Sequence, residues 1–495
     1  MGEFRPSIRG GAALHVLMRS CSSLTRRRRQ WASASVALAL VFFSIASIAH
    51  VEPGNTLTRA GDTRYRSSRH PDRIVLSPGA EAAREATISW RTDARVRQAQ
   101  IQWVRAVESP GLHLTATTAI GQTRSLKTRN GLAHHHSVRL SGLEPDTLYA
   151  YRVRGDGTWS EWLQFRTATD TFKPFSFLYF GDAQNSVRSH FSRVIRGGFR
   201  TSPDISLMLH AGDLVNQRDG NHDDEWGEWF DAGGFLHAMV ATVPVAGNHE
   251  YVTVTKSGNT EQRTLGPHWS RQFSPPRNGP KGFEDTVYFV RYSGVLFVVL
   301  DSMRALDEPD AAAVQARWLD DLLSRDESRW VIVSHHHPVF SVALGRDNPA
   351  LRAHWMPVYE RHNVDLVLQG HDHAYGRGQN LAEGSKVVGR AGGPVYVVSV
   401  AGPKQYIAAE SARVGVERVG EDMQLYQLIR LEEDRLHYQS LTMTGRVYDA
   451  FEIEHRPNRA KTFVPRINLE LNETRCTNPS PPRRTRCWEG DELTR

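Results

Sequence analysis

Between residues 71 and 169 apolar and polar positions alternate, the period-two spacing of strands buried on one face. Ala86-Thr-Ile-Ser-Trp90, Ala99-Gln-Ile-Gln-Trp103, Ser137-Val-Arg-Leu140, Tyr149-Ala-Tyr-Arg-Val153 and Trp162-Leu-Gln-Phe165 show it. Glu144-Pro-Asp146 and Gly155-Asp-Gly157 mark turns between them. About a hundred residues of this kind predict an antiparallel all-β sandwich. His134, His135 and His136 fall inside it. Neighbours in a strand point to opposite faces, so they read as a strand edge or loop rather than a metal tract. From Phe175 the pattern changes to continuous apolar runs: 175–180, 205–209, 295–300, 330–333, 364–368 and 395–400. Such runs predict strands buried on both faces. A helical pattern at 311–323 lies among them, so 172–452 reads as an α/β domain. Residues 50–70 read as a polar linker and 453–495 as a polar tail.

Several apolar runs end in a short polar string. These are Gly181-Asp-Ala-Gln184, Gly212-Asp-Leu-Val-Asn216, Gly247-Asn-His-Glu250, Ser334-His-His-His-Pro338 and Gly370-His-Asp-His373. In α/β sheets functional groups gather at the carboxyl ends of strands. Together the strings supply carboxylates, an amide and imidazoles. That donor set suits Fe, Zn or Mn better than Mg or Ca, and the lack of thiolate disfavours structural zinc. A carboxylate can bridge two cations, and two cations can clamp both ends of a phosphoryl displacement while activating a water as hydroxide.

This order of strings resembles the calcineurin-like metallophosphoesterase family. Residues 141–149, Ser-Gly-Leu-Glu-Pro-Asp-Thr-Leu-Tyr, resemble the corner of a fibronectin type III module, and with that module in front the chain is similar to purple acid phosphatases. The resemblance covers roughly residues 71–450. It implies a metallophosphoesterase β-sheet sandwich flanked by helices, preceded by the fibronectin type III-like sandwich. It also implies hydrolysis of phosphate monoesters at two divalent or trivalent metal ions. By the same resemblance Asp182 and His373 hold the first ion, Asp213 bridges, and Asn248, His336 and His371 hold the second. His249 stands over the substrate as proton donor or transition-state stabiliser. His336 is chosen from three adjacent histidines because it alone fits both V-x-x-H and H-x-P, which leaves His335 and His337 to supporting roles. The chain departs from the family at Asn216, where purple enzymes carry the tyrosine that colours them, and at Gln184, where many relatives carry Gly or His. Both are candidates for a place at or beside a metal. Arg346, Asn348 and Tyr375, with Arg352, His354 and Arg377, are candidates for phosphate contact.

The chain has 495 residues, 40% hydrophobic and 23% charged, with net charge +7. These values exclude collagen, coiled coil and polytopic membrane classes. Seven arginines and one acid give residues 1–49 a charge of +6, leaving +1 (+7 less +6) for the rest. No basic stripe remains for duplex nucleic acid. Arg26–Arg29, the apolar run 36–43 and Ser47-Ile-Ala49 predict a secretory signal in 1–49, or failing cleavage an N-terminal membrane anchor. Cys476 and Cys487 lie beyond the signal region, an even number for an oxidising compartment. The expected protein is exported and acts on a small phosphoester. Its rivals are a phosphodiesterase or nucleotidase on the same centre, and a non-catalytic extracellular binding protein with a relic metal site.

Overall fold

The computed structural model describes residues 57–58, 62–216, 219, 221, 223–257, 260–379, 393–414, 416–455, 461–466, 469–477 and 486–488. The expected signal or anchor (1–49) and much of the linker lie outside the described residues. No helix among the described residues is long and apolar enough to cross a membrane.

The alternating segment forms two four-stranded antiparallel sheets. One runs Asp72–Pro78, Glu85–Asp93, Gly131–Ser141, Gln122–Thr128; the other runs Thr117–Ile120, Gln100–Arg105, Leu148–Val153, Leu163–Arg166. Their inner faces bury Ile88, Trp90, Ile101, Val138, Leu140, Tyr151 and Val153. At the corner the Glu144 N–H donates to the Tyr149 hydroxyl at 3.0 Å. The triple histidine is not at a strand edge. Gly131–Ser141 is paired on both sides. His135 and His136 are buried, and His136 stacks on Trp90 at 5.1 Å with the Thr92 and Thr123 hydroxyls at its ring nitrogens.

The continuous runs form two seven-stranded mixed sheets. The first runs Ala241–Pro244, Leu207–His210, Phe175–Phe180, Leu425–Leu431, Arg435–Thr442, Val447–Glu454, Thr462–Pro465. The second runs Tyr288–Tyr292, Val295–Val299, Trp330–Ser334, Leu366–Gln369, Val395–Val398, Tyr375–Gln379, Arg418–Gly420. Strand alternation sorts the apolar residues into layers. Phe177, Tyr179, Leu207, Leu209, Phe297, Ile332, Leu366 and Leu368 share the core between the sheets. Leu178, Phe180 and Met208 face outward onto the helices Val187–Thr201 and Asp224–Gly233. Leu296, Val298, Val333 and Val367 face the helix Ala311–Leu323 and its neighbours. Each run is apolar throughout because each strand is covered on both faces.

The chain after 453, expected as a tail, adds strands instead. Thr462–Pro465 extends the first sheet and buries Phe463. Arg486–Trp488 pairs with Gln405–Tyr406, and Cys476 is bonded to Cys487. Single apolar residues among polar ones were enough to seat these short strands.

Candidate metal centre

Each polar string leaves the carboxyl end of a parallel strand. Asp182 follows Phe175–Phe180, Asp213 follows Leu207–His210, and Asn248 and His249 follow Ala241–Pro244. From the second sheet, His336 follows Trp330–Ser334, and His371 and His373 follow Leu366–Gln369. The sheets meet there, where Asp182 bridges to Val400. The glycines permit the close approach. A Cβ on Gly212 (φ 92°) would stand 2.6 Å from His336 Nδ1, and one on Gly370 would stand 2.5 Å from Asp182 Oδ2. Asp213, His371 and His373 themselves sit at φ 51°, 73° and 48°. Left-handed backbone at non-glycine residues costs roughly 1–3 kcal/mol each and persists where surrounding structure enforces it.

Ligand-type atoms converge in two groups that share Asp213. Asp213, His336 and His371 form one; Asp182, Asp213 and His373 form the other, all within 4.8 Å inside each group. Asn248 Oδ1 lies 3.1 Å from His336 Nε2, so the amide joins the first group. Gln184 Nε2 lies 2.9 Å from Asp213 Oδ2 and 2.8 Å from His373 Nε2, which puts Gln184 between the groups.

Outer hydrogen bonds aim the imidazoles. His336 Nδ1–H donates to the Ala211 carbonyl (2.9 Å) and His373 Nδ1–H to the Lys404 carbonyl (3.0 Å). Both Nε2 atoms then present lone pairs inward, the arrangement that pre-orients histidine for a metal. His336 Nε2 faces His371 Nδ1 at 3.2 Å and Asp213 Oδ2 at 3.2 Å. Acceptors so crowded repel unless a positive charge lies among them. Asp182 Oδ1 and Gln184 Oε1 are buried without hydrogen-bond partners, a deficit that native interiors rarely tolerate. The donor set therefore fits cations.

Charge gives the same picture. Burial, reinforced by Asp213 and opposed by His336, lifts the Asp182 carboxyl to about 7. Burial opposes ionisation of Asp213, but His336 and His249 outweigh it and hold that carboxyl well below its usual range. Burial also opposes a charge on His336, yet Asp213 and Asp182 raise it to about 9. With protein atoms alone, the His336 proton is the positive charge this centre draws in.

His249 lies at the rim. Its N–H donates to Asp213 Oδ1 (2.8 Å), its Nδ1–H donates to the Asn216 carbonyl (2.5 Å), and its Nε2 is 3.8 Å from Asp213 Oδ2. Asn216 thus contributes its backbone: its own N–H donates to Glu225 (2.6 Å). His335 packs in an aromatic setting against Trp355, and His337 pairs with Ser302 Oγ (2.9 Å) beneath the His371 ring.

The phosphate-contact candidates divide. Arg346 touches the centre's edge, donating to the His371 carbonyl and to Asp372 Oδ1 (3.1 Å). Asn348 is buried and donates to the Pro338 carbonyl (2.8 Å), so it ties a loop rather than facing the cleft. Tyr375 is fully buried. Its hydroxyl donates to Asp449 (2.8 Å) beside Arg377, which removes both from any substrate role. Strand alternation explains this: Tyr375 opens the strand Tyr375–Gln379 with its ring in the layer between the sheets. Arg352 donates to the Val339 carbonyl and pairs with Asp347 (2.6 Å).

Three supporting residues were not singled out from sequence. Glu250 accepts from the N–H groups of Asp213, Leu214 and Gly247 at 2.9, 2.9 and 2.7 Å. Its place in the Gly247–Glu250 string was the available signal. Lys404, whose carbonyl orients His373, and Tyr406, whose ring lies tilted against it (4.7 Å between rings), had none, because only folding brings them near.

Two family models match: the purple acid phosphatase N-terminal domain over residues 71–167 and the calcineurin-like phosphoesterase over 175–375. The Fe(3+)-Zn(2+) purple acid phosphatase 12 of Arabidopsis thaliana is 26% identical over 329 residues, covering 63% of this chain and 66% of that protein. Purple acid phosphatase 1 of Ipomoea batatas is 26% identical over 333 residues, covering 63% and 65%. The chain thus spans just under two thirds of these relatives' own length. In fold it is similar to a purple acid phosphatase from yellow lupin (Lupinus luteus) seeds, with TM-score 0.64 at 17% identity, over 78% of this chain and 75% of that one. On these matches residues 175–375 form a calcineurin-like phosphoesterase domain behind a purple acid phosphatase N-terminal domain at residues 71–167, and the chain is similar to purple acid phosphatases.

Proposed function

We propose that the protein is an exported, dinuclear metal-dependent phosphatase that hydrolyses phosphate monoesters. The observation that carries this reading is the pair of donor groups sharing Asp213, with buried Asp182 and Gln184 oxygens that no protein atom satisfies. Asp182, Asp213 and His373 would hold one ion; Asp213, Asn248, His336 and His371 the other. The Fe–Zn relative supports a mixed or iron-containing pair, with manganese an alternative. Bound cations would neutralise phosphate charge and supply a nucleophile near neutral pH.

The chain's own residues do the rest. Asp213 spans both groups and fixes their separation. Its Oδ1 also binds the His249 N–H, so the residue that sets the centre sets the rim histidine too. The Asn216 carbonyl fixes the Nδ1 proton of His249 and leaves Nε2 as the atom that protonates the departing alkoxide. Export is supported by the Cys476–Cys487 bond, which belongs to an oxidising compartment.

The test compares an aryl phosphate monoester with a bis-aryl diester, each with and without chelator. The expected result is preferential monoester turnover that chelation abolishes. A clear diester preference overturns the substrate assignment, and chelator-resistant turnover overturns the metal assignment.

A further inference from the structure

Two buried carboxylates hold the backbone that runs from Asp213 to Asn216. Glu250 accepts from the N–H groups of Asp213 and Leu214 at 2.9 Å each, and Glu225 accepts from that of Asn216 at 2.6 Å. The Asn216 carbonyl then accepts from His249 Nδ1–H (2.5 Å). Asn216 is therefore gripped at its N–H by Glu225 and meets His249 at its C=O. Glu225 is 1% exposed, so bulk water does not compete for the N–H it holds. A bond from an N–H to a carboxylate is also about twice as strong as one to a neutral acceptor.

Glu225 is itself seated from outside the catalytic layers. It stands in the first turn of the helix Asp224–Gly233. Just before that helix, Arg73 and Arg91 of the sandwich donate to Asp223. In its middle, Gly227 leaves the space that Tyr65 fills: a Cβ there would stand 2.2 Å from the Tyr65 ring. In its last turn, Asp231 accepts from the Tyr65 hydroxyl (3.1 Å) and from Arg64 (2.9 Å). Linker and sandwich thus hold the helix along its length, and Glu225 is a fixed post for the loop it grips.

We infer that Glu225 is a positioning residue for proton delivery, holding the Asn216 carbonyl that aims His249 Nε2 at the leaving oxygen. The inference rests on the reading of His249 given above and adds a residue outside the donor strings. As the bond from phosphorus to the leaving oxygen breaks and an oxygen from water takes its place, the leaving oxygen keeps the electron pair. It takes the proton from Nε2, and the ring is left neutral with its Nδ1–H still on Asn216. An alkoxide needs that proton to depart. A nitrophenolate, a far weaker base, leaves without it.

The test compares kcat for an alkyl phosphate with kcat for a nitrophenyl phosphate in the metal-loaded full chain, with metal content and KM measured in each variant. His249→Ala is expected to lower the alkyl-to-nitrophenyl ratio about a hundredfold. Glu225→Ala is expected to lower it about tenfold with KM and metal content little changed, and to add nothing once His249 is replaced by alanine. Glu225→Gln, whose amide oxygen still accepts from the Asn216 N–H, is expected to keep most of the ratio. Glu225→Asp draws the carboxylate back by one methylene and is expected to lower the ratio, which serves the test where the alanine variant does not fold. A fall in the ratio for His249→Ala with none in the alanine and aspartate variants of Glu225 overturns the inference alone. So does a fall in Glu225→Gln as large as in Glu225→Asp. An unchanged ratio in His249→Ala overturns the proton-donor reading and the inference with it. A wild type without metal-dependent turnover overturns the metal-centre reading on which both stand.

Discussion

Asn248 and His249 are adjacent in the chain and do different work. Asn248 directs its amide oxygen at His336 Nε2, inside the donor cluster. His249 reaches the cluster only through its backbone N–H and keeps its ring at the rim. Asn248→Ala should therefore empty the second metal position, seen as a lower metal content. His249→Ala should keep both ions while turnover falls about 10²–10⁴-fold, the usual worth of a positioned general acid. Equal metal loss in both variants would contradict this division. The strings were legible in sequence because each sits where an apolar run stops. The targets of Tyr375 and Asn348 were not, because strand alternation and loop closure turn them away from the cleft. The Lys404–Tyr406 support of His373 was equally hidden, since 31 positions separate His373 from the carbonyl that orients it.

Among the elements, the strands with continuous apolar runs could be read directly, and Ala311–Leu323 emerged with the bounds its periodicity predicts. The antiparallel strands Leu425–Leu431, Arg435–Thr442 and Val447–Glu454 were less plain, because charged residues on their partly covered faces interrupt the pattern. Helix packing also sets an acid limit on stability. His237, on the short helix Phe235–Met239, stacks on Trp229 at 3.9 Å with its ring buried. Burial pushes its pKa down to about 4, and burial, aided by His134, does the same for His136. Both folded values lie below the ordinary 6.5, so the unfolded chain binds more protons between pH 6.5 and 4. Stability is then full above pH 6.5 and falls as pH drops through that window, by up to roughly 3 kcal/mol for each histidine. Urea denaturation across this range checks the sign. His237→Phe should lose less stability on acidification than the wild type; an equal slope would remove His237 from the account.

The sandwich and the α/β layers meet across a buried ion cluster. Arg73 and Arg91 both donate to Asp223 at 2.7–2.9 Å, and Asn130 and His268 add to it at 3.3 and 3.2 Å. Asp223 immediately precedes the helix Asp224–Gly233, whose Glu225 holds the Asn216 N–H that leads to His249. Nothing in the local sequence announced this link, since its members are 132 and 150 positions apart. Removing one partner of a buried pair strands the other charge, so Asp223→Ala should destabilise the protein by about 3–5 kcal/mol. A loss below about 1 kcal/mol in denaturant titration would show that the sandwich is not held this way.

At the scale of the whole molecule, all the chemistry depends on two sheets delivering donors from strands far apart in sequence to one shared carboxylate, Asp213. The metal content of the purified full chain, measured by mass spectrometry alongside monoester turnover, tests this most directly. About two ions per chain are expected, about one in Asn248→Ala, with loss of turnover when chelation removes them. Protein that hydrolyses monoesters at an undiminished rate with its metals stripped would contradict it.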